Sequence, residues 1–397
     1  MDSNEPIPFN KPYYSGKELE YIRQAFASGK ISGDGIFTHK CQQFFCEKFG
    51  FDKALLTTSC TDALEMAALL ANITPEDEVI VPSFTFPSTA NAFALRGAKI
   101  VFGDSCATHP NLDISSLESL ITKKTKAIVI VHYAGIACEM DPLLELAHDY
   151  DLFVIEDAAH AFDSYYKNTP LGSIGHFGTF SFHETKNISC GEGGMLTLND
   201  PKFYQRAEIL REKGTNRSSF FRGEVDKYSW VDIGSSFLPS DMIAAVLYSQ
   251  LEKYATIQQK RLAQWNRYFD NLKPLADLGC LELPFIPSYA TNNAHMFYIL
   301  CTSCEERQAL IDHLRSKNIH AIFHYVPLHS APYYQDKHDG RALPNCDRFS
   351  QCLLRLPLYN ELLTEQVDRI TQQIHTFFTY HRKACSVQSQ SMSLQPT

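Results

Sequence analysis

One lysine stands in an unusual setting. In "SFHETKNISCGEGG" (Ser181–Gly194), Lys186 follows a phenylalanine-rich run and precedes a turn that carries Cys190, Glu192 and three glycines. A lysine in a partly apolar pocket holds its proton less tightly, and its neutral amine can attack a carbonyl to form a Schiff base. A lysine that snorkels from the surface is the commoner fate of any single Lys. In "TTSCTDALEMAALL" (Thr57–Leu70), small hydroxyl residues precede an apolar helical pattern. Free N–H groups at Cys60, Thr61 and Asp62, with the helix dipole behind them, suit a phosphate. A plain N-cap by Ser59 or Thr61 is the ordinary alternative. In "VIEDAAHAF", Asp157 directly follows an apolar run and His160 comes shortly after. A carboxylate there can pair with a protonated ring nitrogen, or it can cap a helix. In "PSFTFPSTANAF", Phe86 can stack on a flat ring or lie in a core. Each feature alone is ordinary. Their order along the chain is less so: phosphate turn, aromatic face, acid, amine. Pyridoxal 5'-phosphate needs those four parts, for its phosphate, its ring, its ring nitrogen and its aldehyde.

The runs "SGDG" (Ser32–Gly35), "SCTDALEMAALL", "STANAFALRGAKIVF", "VHYAG", "SFHETKN", "EKGTNRSSFFRGEVDKYSWVDIGSS" and "AHMFYI" resemble the sugar-nucleotide aminotransferases of DegT/DnrJ/StrS type. These lie within the fold type I pyridoxal-phosphate enzymes. The resemblance extends from Pro8 to about Tyr380 and is greatest to the branch that forms dTDP-4-amino-4,6-dideoxy-D-galactose for surface polysaccharides of the enterobacterial common antigen or O-antigen type. It implies that Lys186 carries the cofactor and moves the proton, and that Asp157 keeps the ring nitrogen protonated. His160 falls near the phenolic oxygen. Ser181, Cys60, Thr61 and Asp62 fall at the phosphate, and Phe86 falls on the ring. It implies a homodimer with a shared site, in which a loop of the partner subunit completes the phosphate pocket. Ser236, in "GSS", stands where relatives carry Asn, and Cys60 stands where many carry Gly. His324 and His329, in "FHYVPLH", match a segment near the family's active site. The implied partners are L-glutamate as amino donor and dTDP-4-dehydro-6-deoxy-D-glucose as acceptor. Relatives that remove a hydroxyl generally have His at the lysine position, so Lys186 favours transamination. Transfer at C3, an equatorial C4 product, another keto-sugar nucleotide and a non-catalytic regulatory role stay open.

These residues need elements to place them. "DEVIVPSFTF", "AKIVFGDS", "KAIVIVHYAG", "LFVIEDAAH", "HFGTFSFH" and "GGMLTLND" read as strands, with helical patterns such as "DALEMAALLA" and "DPLLELAHDY" between them. Runs that are apolar at consecutive positions fit strands buried on both faces. The expectation is an α/β fold, a mostly parallel central sheet covered by helices, with ligands at the carboxyl ends of the strands. From Ser240, "SDMIAAVLYSQLEKYATIQQKRLAQWNRYFDNL" reads as one long helix or two with a bend. A smaller α+β domain follows. The expected division is 1–245 for the large cofactor-binding domain, its N-terminal segment reaching the small domain, and 246–382 for the small domain with its linking helix. The stretch 383–397 is expected to be disordered.

Composition bounds the rest. The 397 residues are 44% hydrophobic and 20% charged, with a net charge of -9, an ordinary globular balance too long for one core. The acidic balance speaks against nucleic acid as a partner. No run reaches the roughly 18 apolar residues of a membrane span. The start "MDSNEPIPFNKP" has no basic stretch followed by an apolar one, so no signal peptide is expected. Twelve cysteines are scattered singly, apart from Cys301 and Cys304 in "CTSCEERQ". They read as reduced thiols of a cytoplasmic protein, and no metal is expected.

Overall fold

The apolar runs of the first half become strands whose successive side chains enter two different cores. The computed structural model describes residues 5–392. Its strands begin with β1 (Lys53–Thr57), β2 (Glu78–Pro82), β3 (Lys99–Gly103), β4 (Thr125–Val131) and β5 (Phe153–Asp157). A small hairpin, β6 (Tyr165–Tyr166) and β7 (Thr169–Pro170), precedes β8 (Phe177–Ser181) and β9 (Gly194–Leu198). Without the hairpin they form one seven-stranded sheet in the order β1-β9-β8-β5-β4-β2-β3. Val79, Val81, Val129 and Ile155 enter one core; Ile80, Ile128, Ile130 and Val154 enter the other. Side chains alternate along a strand, so a sheet covered on both faces requires apolar residues at every position. The pairs β2–β3, β2–β4, β4–β5 and β5–β8 are parallel. β9 runs antiparallel to β8 and β1, because no helix lies between β8 and β9 to carry the chain back across the sheet.

Two helices follow Pro239, Asp241–Leu251 and Tyr254–Asp277. Ser240 caps the first, its Oγ accepting from the Ile243 amide at 3.4 Å. The "SGDG" run explains itself against this helix start. A methyl group on Gly35 would lie 2.3 Å from the Asp241 carboxylate carbon, and that carboxylate accepts from the Thr38 amide at 2.8 Å. A second sheet, β10 (Phe297–Leu300), β11 (Ile322–Phe323) and β12 (Leu353–Leu356), is antiparallel in the order β10-β12-β11. It has its own core, containing Tyr268, Phe297, Ile299 and Leu354. Ile7 joins that core and pairs with Ile319, so the amino-terminal segment packs against the carboxy-terminal sheet. The last helix, Thr364–Met392, covers the beginning of the stretch expected to be disordered, whose final residues, 393–397, lie outside the described residues. No described helix is long and apolar enough to cross a membrane.

Candidate functional site

β4, β5 and β8 end at one cavity of about 540 Å³, whose wall includes their last residues, Val131, Asp157 and Ser181. This is where an α/β sheet offers loops and helix starts to a ligand. The Ser59–Thr61 turn, Phe86, His160 and Lys186 complete the wall on the large-sheet side. His295, His324, Tyr325 and Arg355 close it from the second sheet and its loops.

Asp157 is buried and fixed from two sides. Its Oδ2 accepts from the Thr89 hydroxyl at 2.7 Å, and its Oδ1 accepts from the Ala159 amide at 3.1 Å. Burial pushes its carboxyl above the ordinary range, and the Thr89 and Ala159 bonds pull it back. Thr89 in turn lies 2.8 Å from the Thr85 hydroxyl. Sequence reasoning missed Thr89, although it stands just beyond Phe86 in the same quoted run, at the start of the helix Pro87–Ala94.

Lys186 sits on a loop pinned at its neck. The Phe182 amide donates to Gly193 O at 2.8 Å, and the Cys190 amide donates to Phe182 O at 2.9 Å. The next residue, Asn187, is buried and holds the loop down. It donates to Gln258 Oε1 and Asn293 O, each at 2.8 Å, and its Oδ1 lies 2.8 Å from His295 Nδ1. Burial lowers the Lys186 ammonium to about 8, against smaller opposing pulls from Cys60 and Asp157. An ordinary lysine is neutral about once in three thousand molecules at pH 7; at a pKa near 8 the fraction is about a tenth. Lys186 lines the cavity rather than the outer surface, which sets the surface-snorkel alternative aside.

At the Ser59–Thr61 turn, the N-cap alternative holds at one amide, and two other amides are left without an acceptor. Ser59 caps the helix Cys60–Leu70, its Oγ accepting from the Asp62 amide at 3.1 Å. No described residue accepts from the amides of Cys60 and Thr61. Thr61 Oγ1 and Ser88 Oγ lie 2.8 Å apart at the same wall. Asp62 is a correction: its amide donates to the Ser59 cap, its carboxylate accepts from the Thr58 hydroxyl, and it is not part of the cavity wall. Gly194 explains the glycine-rich run. A methyl there would lie 2.2 Å from the Ser59 carbonyl carbon, so only glycine lets β9 pass beneath the turn.

Phe86 is 57% exposed, whereas Phe84 is 1% exposed; the core aromatic of this run is Phe84, and Phe86 presents its ring at the cavity. His160 is buried, and burial holds its imidazole well below the usual pKa. Its Nδ1 accepts from the Ala134 amide at 3.3 Å, which leaves the proton on Nε2, 3.5 Å from the Tyr325 hydroxyl. His295 stacks on it at 4.2 Å between ring centroids. His324 also reaches the wall, with Nδ1 2.7 Å from the Tyr133 hydroxyl. His329 does not. Its Nδ1 lies 2.7 Å from Ser83 Oγ, so it ties the loop to the end of β2 rather than facing the cavity. Ser236 is exposed, pairs with Glu212 and lies outside this subunit's cavity. Tyr325 and Arg355 escaped sequence reasoning. Tyr325 has φ +33°, a left-handed backbone that a bulky residue seldom adopts and that marks strain at functional sites. Arg355 carried a readable signal, a charge inside the apolar strand "LLRL".

Two unpaired amides, a pair of hydroxyls, an open aromatic face, a buried acid and an easily deprotonated lysine meet in one cavity. Pyridoxal 5'-phosphate fits that set group by group. Among the described residues, no cluster of three or more His, Cys, Asp or Glu is placed to hold a metal. The model of the DegT/DnrJ/EryC1/StrS aminotransferase family matches residues 12–375. The chain is 33% identical over 374 residues to the GDP-perosamine synthase of Escherichia coli O157:H7, covering 94% of this chain and 99% of that protein. It is 31% identical over 383 residues to the spore coat polysaccharide biosynthesis protein SpsC of Bacillus subtilis, covering 94% and 97%. Among solved structures, Spr1654 of Streptococcus pneumoniae in its PLP form matches with a TM-score of 0.86 and 27% identity, over 95% of this chain and 99% of that one.

Proposed function

We propose a substrate and a division of labour for this chain, which belongs to the DegT/DnrJ/EryC1/StrS aminotransferase family and is a pyridoxal 5'-phosphate-dependent sugar aminotransferase. The acceptor is dTDP-4-dehydro-6-deoxy-D-glucose, the product is dTDP-4-amino-4,6-dideoxy-D-galactose, and the donor is L-glutamate. The product serves surface-polysaccharide synthesis in the cytoplasm. One observation carries the site reading: Lys186, with a pKa near 8, and buried Asp157 face one cavity beside the unpaired amides of Cys60 and Thr61. The runs "SFHETKN" and "EKGTNRS" support the dTDP branch.

When bound, the cofactor supplies an aldehyde that takes up an amine and a ring that accepts electrons as a C–H proton leaves. The Cys60 and Thr61 amides, with the hydroxyls of Thr61 and Ser181, hold the phosphate. Asp157, braced by Thr89, keeps a proton on the ring nitrogen. His160 donates from Nε2 toward the phenolic oxygen. Phe86 covers the ring and keeps water from one face. Lys186 Nζ removes a proton from the carbon that bears the amine and returns one to the carbon that receives it. The exposed run Phe220, Phe221, Tyr228, Trp230, Val231 and Ile233 precedes Ser236. Apolar surface of that kind favours a homodimer, with the Ser236 loop of each subunit entering the other's phosphate site.

A GDP-linked acceptor is the second reading, supported by the 33% identity to GDP-perosamine synthase. The test is turnover by purified protein with cofactor, L-glutamate and dTDP-4-dehydro-6-deoxy-D-glucose, the product being identified by NMR. An axial C4 amine is the expected result. An equatorial amine overturns the product assignment, and turnover only with a GDP-linked keto sugar overturns the acceptor.

A further inference from the structure

The turn that leads into β10, "NNAH" (Asn292–His295), ties together two parts of the cavity wall that are distant in sequence. Asn293 and His295 are buried. Asn293 Nδ2 donates to His160 O at 2.7 Å and to Phe162 O at 2.8 Å, and its Oδ1 accepts from the His295 amide at 2.9 Å. The Asn293 carbonyl accepts from Asn187 Nδ2 at 2.8 Å. Arg261, on the helix Tyr254–Asp277, holds the turn from behind: Nε donates to Ala294 O at 3.0 Å and Nη2 to His295 O at 2.7 Å. Ala294 takes φ +51°, a left-handed backbone that persists only where its surroundings hold it. A methyl on Gly135, in "VHYAG", would lie 2.0 Å from Asn293 Oδ1, so the Tyr133–Gly135 turn packs directly against this one.

His295 is the side chain that the turn delivers. Asn187 uses both amide hydrogens on Gln258 Oε1 and Asn293 O. Its Oδ1 therefore accepts, and the 2.8 Å contact with His295 Nδ1 is a bond donated by the histidine. Burial keeps the His295 imidazole well below its usual pKa, and His160, Lys186, Arg261 and Arg355 push it the same way. His295 is thus neutral, with its proton on Nδ1. Its ring lies 4.2 Å from the His160 ring at 18°, a spacing at which a charge on either imidazole disfavours one on the other. Tyr133, His324 and Tyr325 surround His160 on its other sides, and Cys60, Asp157 and Arg355 act on Lys186. One imidazole joins the loop of Lys186 to the ring of His160.

We propose that His295 is a positioning residue for the transamination: bonded to Asn187 through Nδ1 and stacked on His160 by its face, it holds the Lys186 amine in the cavity and keeps His160 neutral with its Nε2 proton available. This deepens, and rests on, the reading that Lys186 carries the cofactor and His160 donates toward the phenolic oxygen.

Two substitutions cut one link each. His295→Phe keeps a ring on His160 and removes the donor to Asn187. His295→Asn keeps a donor near the place of Nδ1 and removes the ring. The first readout is the pH profile of cofactor uptake by apo-protein, which follows the Lys186 proton. In His295→Phe the freed loop should let Lys186 reach solvent, and the midpoint should rise from about 8 by roughly one pH unit or more, toward the ordinary lysine value. In His295→Asn it should stay within about 0.3 unit of wild type. The second readout is nitrogen NMR of histidine-labelled apo-protein, the His160 signals being assigned by their loss in His160→Gln. In His295→Asn, His160 gains room for water and should begin to protonate as the pH falls through about 6.5. In wild type and His295→Phe it should stay neutral, with the proton on Nε2, down to about pH 5.5. This crossed pattern is the expected result. Both readouts moving in both variants, with a lowered Tm, would make His295 a general packing residue and overturn the proposal, as would a change in only one readout or in neither. Should His295→Phe fail to fold, His295→Met removes the same donor with a more adaptable side chain and decides the first readout. Lys186→Ala apo-protein tests the underlying reading. If it still forms the Schiff base that absorbs visible light, the assignment of Lys186 fails and the proposal with it. If it forms none while the His295 variants behave as wild type, the proposal alone fails.

Discussion

Lys186 differs from the other lysines by its surroundings rather than by its type. Asn187 anchors the loop, Asp157 and Cys60 lie near, and burial brings the ammonium to about 8. Only the neutral amine attacks an aldehyde. The rate at which apo-protein takes up pyridoxal 5'-phosphate should therefore climb about tenfold per pH unit below 8 and level off above it. Stopped-flow absorbance across pH 6 to 10 measures this. A rate still climbing steeply near pH 10 would mean that Lys186 behaves as a surface lysine. Asp157 is read in the same way. Its position at the end of β5 was visible in the chain, but the Thr89 bond that counters its burial was not, because a threonine inside a helical run carries no mark of its partner.

At the scale of elements, the crossing of β9 under the helix Cys60–Leu70 sets the Ser59–Thr61 turn. Gly194 is the point of closest approach, since a methyl there meets the carbonyl carbon of Ser59 at 2.2 Å. Gly194→Ala should force the turn and strand apart at a cost of roughly 1–3 kcal/mol, as overpacking does. Thermal unfolding should show the lost stability, and equilibrium dialysis a weaker hold on the cofactor. A variant with unchanged Tm and unchanged cofactor affinity would show that the turn does not depend on that contact. Strand existence was legible from the consecutive apolar runs of β4 and β5. The antiparallel direction of β9 was not, because direction depends on what connects the strands rather than on their residues.

For the whole molecule, the decisive question is whether one subunit makes a complete site. Ser236 lies outside the cavity of its own subunit, beside an exposed run of aromatic and aliphatic residues. Lys186→Ala subunits carry an intact Ser236 loop, and Ser236→Trp subunits carry an intact lysine. Each variant alone should be nearly inactive. Mixed and allowed to exchange, they should recover roughly a quarter of wild-type turnover, since half of the dimers are mixed and each has one good site. Mixed dimers verified by mass spectrometry but inactive would place the whole site in one subunit.

By itself, the sequence determined the alternation of strands and helices and the local runs that hold Lys186, Asp157, Phe86 and the Ser59–Thr61 turn. All of these lie in the first half, and each is written in a few consecutive residues. Only tertiary structure decided which candidates face one another. Asp62 and His329 are close in sequence to site residues, yet Ser59, Thr58 and Ser83 take up their polar groups. Tyr325 and Arg355 come to the site through packing between distant segments, and so do the partners that fix Thr89 and Asn187 there. A short motif records a local geometry. A hydrogen bond or an unpaired charge between residues far apart in the chain depends on how the two sheets meet, and no single stretch of sequence encodes that.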